Sequence, residues 1–115
     1  GFYVIKTHGT EFATGGTPDL LACIKGRFVA MEVKLIKELP KKPTTPVLSN
    51  KQYSTVQLAT IDQIKKRGGT AYGVAYIAPH KKWILHTVGT TIGLYDLPEH
   101  ELSLQALIDR IMCEV

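Results

Sequence analysis

The segment DLLACIKGRFVAMEVKL, residues 19–35, constrains the fold more than any other part of the chain. Two strand-like runs, 19–24 and 27–35, meet at Lys25-Gly26. A two-residue connection with glycine second is a β-hairpin signal. Side chains two apart in a strand share a face. Phe28, Ala30, Glu32 and Lys34 therefore line one face, and Val29, Met31 and Val33 the other. A glutamate and a lysine thus close a face that begins apolar, in a strand otherwise built for burial. Conflicts of that kind are expected at functional positions.

With a two-residue turn, paired residues have numbers that sum to 51, which sets Asp19 opposite Glu32, their Cβ atoms roughly 5 Å apart. A three-residue loop with a bulge at Gly26 would shift this register. Facing carboxylates repel unless a cation bridges them. A hard divalent ion suits oxygen ligands, and Mg²⁺ keeps several waters while taking one or two carboxylates. The Val33 carbonyl can add a further oxygen. Lys34, on the same face as Glu32, can reach the ion's outer waters, orient an attacking water and stabilise phosphate charge.

Around this hairpin the pattern is α/β, a mixed sheet flanked by helices. Residues 2–6, 71–77 and 83–88 read as further strands, and 36–47 as a proline- and lysine-rich loop. Ser49 and Gln52 form a capping box, with a Leu48–Tyr53 staple, at the start of a helix that ends with Lys65, Lys66, Arg67 and the stop residue Gly68. Tyr53, Gln57, Ile61 and Ile64 fall on its inward stripe, so the Gln57 amide needs a partner, either backbone or the site itself. A last helix spans about 103–113.

Charge is unevenly spread over the 115 residues. Residues 1–95 carry 13 Lys/Arg against 5 Asp/Glu, a balance of +8, and residues 96–115 a balance of −4. A basic body with an acidic end suits a polyanion gripped by the body. No apolar run is long enough to span a membrane and no leader opens the chain, so a cytoplasmic protein is expected, in the host cytoplasm if phage-encoded. Cys23 and Cys113 read as reduced packing thiols.

Thr17-Pro18-Asp19, Glu32-Val33-Lys34 and Gln57, in that order, resemble the PD…(D/E)-x-K…Q pattern of the PD-(D/E)XK nuclease superfamily. The closer resemblance is to small stand-alone, phage-type members of its VRR-NUC branch, through Lys6-Thr7-His8-Gly9, residues 15–34 and residues 57–76. It covers about residues 3–77. The resemblance implies a single nuclease domain over 1–115 with a restriction-endonuclease-like core, and Mg²⁺-dependent hydrolysis of DNA, with Mn²⁺ able to substitute. Asp19, Glu32 and Val33 would hold the metal; Asp19, Glu32, Lys34 and Gln57 would form the catalytic set. It also implies a homodimer that cuts branched DNA such as Holliday (four-way) junctions. Such members usually carry a helix, often with a further acidic site residue, before the first strand; the sequence as read from Gly1 is expected to lack it, and Glu11 is the candidate to replace its acidic ligand.

Blander readings stand beside these. Asp19 is otherwise a turn residue after proline, and Glu32 and Lys34 a solvated pair on an edge strand. Lys6, His8, Lys37, Lys41 and Lys42 are candidates for DNA contact or simply solvated. His80, His86 and His100 lack metal-ligand spacing and read as surface or packing residues, and Trp83 as core. The competing function is a catalytically inactive nuclease-like module that only binds DNA. Intact Asp19, Glu32 and Lys34 argue against it, since a pure binder has no use for two carboxylates facing a polyanion.

Overall fold

The computed structural model describes the backbone of residues 2–6 and the whole of residues 18–115. Its strands are β1 (Phe2–Lys6), β2 (Leu20–Ile24), β3 (Arg27–Ile36), β4 (Thr70–Ile77) and β5 (Lys82–His86), joined in one sheet in chain order. Neighbours pair antiparallel except β3 and β4, which are parallel. A parallel pair needs a crossover connection, and this one carries helix α1 (Thr55–Lys66). The sheet is therefore mixed and flanked by helices, as the sequence pattern indicates.

Lys25 and Gly26 both take positive φ, 53° and 77°, the pair of values that a type I′ turn requires. Ile24 faces Arg27 and Leu20 faces Met31, so the register is the one that a two-residue turn dictates. Period-two alternation then separates two faces. On one, Ala22, Ile24, Val29, Met31 and Val74 pack against Leu107 and Ile111 of α3 (Leu104–Glu114). An apolar cavity of about 240 Å³ lies on this side, between Met31, Val74, Trp83 and Leu107. On the other face, Ile61 of α1 packs with Ala30, Ala71 and Tyr53. Val47, Leu48, Ile92 and Leu97 continue that layer over Ala75, Ile77 and Ile84.

The main helix begins later than expected. The Ser49–Gln52 capping box is formed, but it closes only a 3₁₀ turn, Asn50–Gln52. Tyr53 is extended at φ −111°, ψ 139°, and a second capping box, Ser54 with Gln57, starts α1. Tyr53 therefore precedes the helix and is not part of its stripe. Its burial against the sheet outweighs the weak helical preference of the segment. Leu48 pairs with Ile92 in an isolated bridge, so it belongs to the core layer.

Other differences are smaller. β5 ends at His86, two residues early, where a turn over Thr87–Thr90 takes over. A short helix α2 (Leu97–His100), unforeseen, buries Leu97. Cys23 and Cys113 are unbridged but exposed, so neither packs in the core. Trp83 is half-buried against Tyr76, and its backbone exchanges two hydrogen bonds of 2.7 Å with Leu102. No helix among the described residues is long and apolar enough to cross a membrane.

Candidate active site

Extending the hairpin register by one residue past Leu20 sets Asp19 opposite Glu32, just outside β2. The Val33 N–H donates to Asp19 Oδ2 over 2.8 Å, which turns the Asp19 carboxylate toward β3. Glu32 lies mid-strand and is only 1% exposed. Gln57 Nε2 donates to its Oε2 over 3.1 Å, while its Oε1 is buried with no hydrogen-bond partner. Burial pushes the Glu32 carboxyl up to about 7. The Asp19 charge raises it further, and the Lys34 charge opposes this.

Gln57 joins the acid to the base. Its Oε1 accepts from Lys34 Nζ over 2.9 Å and from the Ser54 N–H over 2.9 Å. Two donors facing one oxygen, and a carboxylate facing the nitrogen, settle the orientation of the amide. The amide is thus partnered both by backbone, at Ser54, and by the side chains of Glu32 and Lys34. Because Gln57 is the N3 residue of its own capping box, the start of α1 is pinned to the middle of β3.

A divalent cation fits these donors. An ionised, buried carboxylate oxygen without a partner is costly, and a second carboxylate faces it. Among the described residues no three His, Cys, Asp or Glu side chains cluster, so an ion here would rely on water and carbonyl oxygens as well, which is the habit of Mg²⁺.

Three residues that sequence reasoning passed over complete the site. Tyr53, 5% exposed, presents its ring to Lys34, with Nζ 5.2 Å from the ring centroid. Its hydroxyl lies 2.7 Å from His86 Nδ1, and His86 Nε2 lies 2.9 Å from the Thr90 carbonyl. That carbonyl can only accept, so Nε2 carries the proton and Nδ1 accepts from Tyr53. Burial lowers the His86 pKa and raises that of Tyr53 to about 12, with Glu32 adding to the rise. Gly73 pairs with both Glu32 and His86. A Cβ there would lie 1.7 Å from the Tyr53 hydroxyl oxygen. The readable signal was the second S-x-x-Q box, Ser54 to Gln57, five residues after the first.

The remaining candidates are more remote. Lys37, Lys41 and Lys42 are exposed in the loop after β3 and stand outside the hydrogen-bonded cluster. The Lys6 backbone pairs with Leu20, next to Asp19. His8 and Glu11 lie outside the described residues.

This mixed sheet with its flanking helices is a restriction-endonuclease-like α/β fold. Among solved structures the chain is similar to Archaeoglobus fulgidus Hjc, a Holliday junction resolvase from an archaeal hyperthermophile. The two are 23% identical with a TM-score of 0.58, and the match covers 96% of this chain and 87% of that one. At that identity the likeness is one of fold. No protein-family model matches the chain, and no curated protein does.

Proposed function

We propose that the protein is a Mg²⁺-dependent endodeoxyribonuclease of the PD-(D/E)XK superfamily, related to its VRR-NUC branch, and that it acts in the cytoplasm on branched DNA such as four-way junctions. The observation that carries this reading is the bridge through Gln57, which holds Glu32 and Lys34 together beside Asp19. The fold shared with a junction resolvase supports it.

Asp19, Glu32 and the Val33 carbonyl are the proposed metal-holding groups. When bound, Mg²⁺ supplies Lewis-acid stabilisation of phosphate charge and a lowered pKa for its water. Lys34 presents its ammonium to the scissile phosphate and the attacking water. Gln57 keeps that ammonium aligned with Glu32. The water oxygen bonds to phosphorus and one P–O ester bond breaks, leaving a phosphate monoester and a free hydroxyl. Mn²⁺, which accepts the same oxygen ligands, is expected to substitute. Lys6, His8, Lys37, Lys41 and Lys42 are proposed to grip the backbone, where contacts position the DNA without reading its sequence.

Cleavage of labelled duplex, single-stranded and four-way-junction DNA, in Mg²⁺ and in EDTA, tests this directly. Asp19→Asn, Glu32→Gln and Lys34→Ala are expected to abolish or severely reduce cleavage while the fold persists, and the two carboxylate variants to bind DNA at least as well. Full activity in either carboxylate variant, or in EDTA, would sink the metal mechanism. Junction binding without any cleavage would instead mark a binding module.

Two symmetric cuts in a junction need two sites, which a C₂ homodimer supplies. In this structure α3 covers the chain's own sheet and Leu102 bonds to β5, so a dimer would use what those elements leave exposed. Light scattering with and without junction DNA checks this; a monomeric mass in both states overturns the dimer.

A further inference from the structure

We infer that Tyr53 is a positioning residue for the proposed reaction: its ring face holds the Lys34 ammonium in place, and the His86–Thr90 pair behind it fixes the ring. This rests on the nuclease reading for its catalytic meaning, though not for its geometry.

Lysine is a compact charge on a flexible stem, so one hydrogen bond to Gln57 leaves the ammonium free to swing about that contact. The Tyr53 ring supplies a second restraint through cation–π attraction, which reaches to about 6 Å from a ring centroid. The ammonium sits at 5.2 Å. Gln57 and Tyr53 together leave Lys34 N–H donors for the reacting groups.

The ring is itself held on three sides. The Tyr53 hydroxyl donates to neutral His86, which donates in turn to the Thr90 carbonyl. The two rings stack with planes 12° apart. The turn that presents Thr90 is closed by the bond from Thr90 Oγ1 to the Thr87 carbonyl, and Asn50 Oδ1 ties it to the 3₁₀ turn before Tyr53 by accepting from the Gly89 N–H. Beneath, Gly73 leaves the space that the hydroxyl occupies. A tyrosine needed only to fill a core would not require a chain of partners ending in a buried neutral histidine while turning its face to an ammonium.

Tyr53→Phe and Tyr53→Leu separate the ring from the hydroxyl. Tyr53→Leu is expected to lower kcat on the order of tenfold or more with KM within about twofold, and Tyr53→Phe to restore most of that loss. Independently of activity, proton NMR should show the Lys34 Hε signals shifted upfield by the ring in the wild type and in Tyr53→Phe. They should return to ordinary positions in Tyr53→Leu, with assignment by Lys34→Gln. Unshifted Lys34 signals in the wild type, or a folded Tyr53→Leu protein with unchanged kcat, overturns the proposal. If Tyr53→Leu fails to fold, the wild-type and Tyr53→Phe spectra decide it. A wild-type protein that cleaves no DNA overturns the nuclease reading, and with it the catalytic meaning, while the spectra still decide the contact.

Discussion

Gln57 donates to Glu32 and accepts from Lys34 with the two ends of a single amide, from a helix that follows their strand across a crossover. The same amide oxygen accepts from the Ser54 N–H that begins the helix. Gln57→Ala should therefore cost both site and fold, with an expected loss of about 1–2 kcal/mol in stability from the broken cap and the stranded polar groups. Gln57→Glu keeps an acceptor for Ser54 and Lys34 but sets a further carboxylate against Glu32, so it should retain more stability than Gln57→Ala while losing activity. Urea melts and cleavage assays on the two variants check this; equal stability of Gln57→Ala and wild type would refute the shared role.

Metal-free stability should depend on pH in a way most carboxylates do not produce. Glu32 titrates at about 7 in the fold against an ordinary 4.5. Between those values the folded chain holds a proton that the unfolded chain has released, so this group's contribution falls as pH rises through the window. The loss reaches up to about 3 kcal/mol above pH 7. His86 has the opposite sign: its lowered pKa makes its contribution fall as pH drops below its unfolded value of about 6.5. In EDTA, Glu32→Gln should melt higher than wild type at pH 8, and the two should converge near pH 5. Mg²⁺ should raise the melting temperature of the wild type and not of the variant. A wild type whose metal-free stability is flat from pH 5 to 8, against a variant with the same profile, would contradict the assignment.

Gly73→Ala probes the floor of the site with one methyl group. The added carbon would overlap the Tyr53 hydroxyl, so Tyr53 must move. Overpacking of this kind costs about 1–3 kcal/mol, and the Tyr53–His86 bond breaks with it. Thermal melts should show the destabilisation, and it should shrink when Tyr53→Phe removes the hydroxyl that the methyl meets. Additive effects of the two substitutions would show that the close approach is not the cause.

What the sequence reveals and what it hides divide along contact range. The hairpin could be read because Lys25-Gly26 dictates a two-residue turn, and that turn fixes which residue faces Glu32. Gln57 stood out as an amide on an apolar stripe, which held even though the helix starts after Tyr53. The start is ambiguous in the sequence because two S-x-x-Q boxes follow each other five residues apart, and choosing between them depends on where Tyr53 packs, a tertiary matter. His86 was opaque for the same reason. Its partners come from the 3₁₀ turn region and its own following turn, and it reaches Glu32's neighbourhood through Tyr53 and through Gly73 on β4. Pairing of that range leaves no local pattern.

The parallel pairing of β3 with β4 also orders events in time. Asp19, Glu32 and Lys34 belong to one hairpin whose ends close cheaply, whereas Gln57 and Gly73 arrive only after the entropy of closing the long crossover has been met. The two carboxylates are therefore expected to face each other early in folding, before the amide that bonds Glu32 is in place. A divalent ion that bridges the hairpin at that stage should speed refolding as well as slow unfolding, and stopped-flow refolding in Mg²⁺ against EDTA distinguishes this from an effect on unfolding alone. The ion would then serve first as a clamp on a half-made sheet, holding the nascent chain in register long before any phosphodiester reaches it.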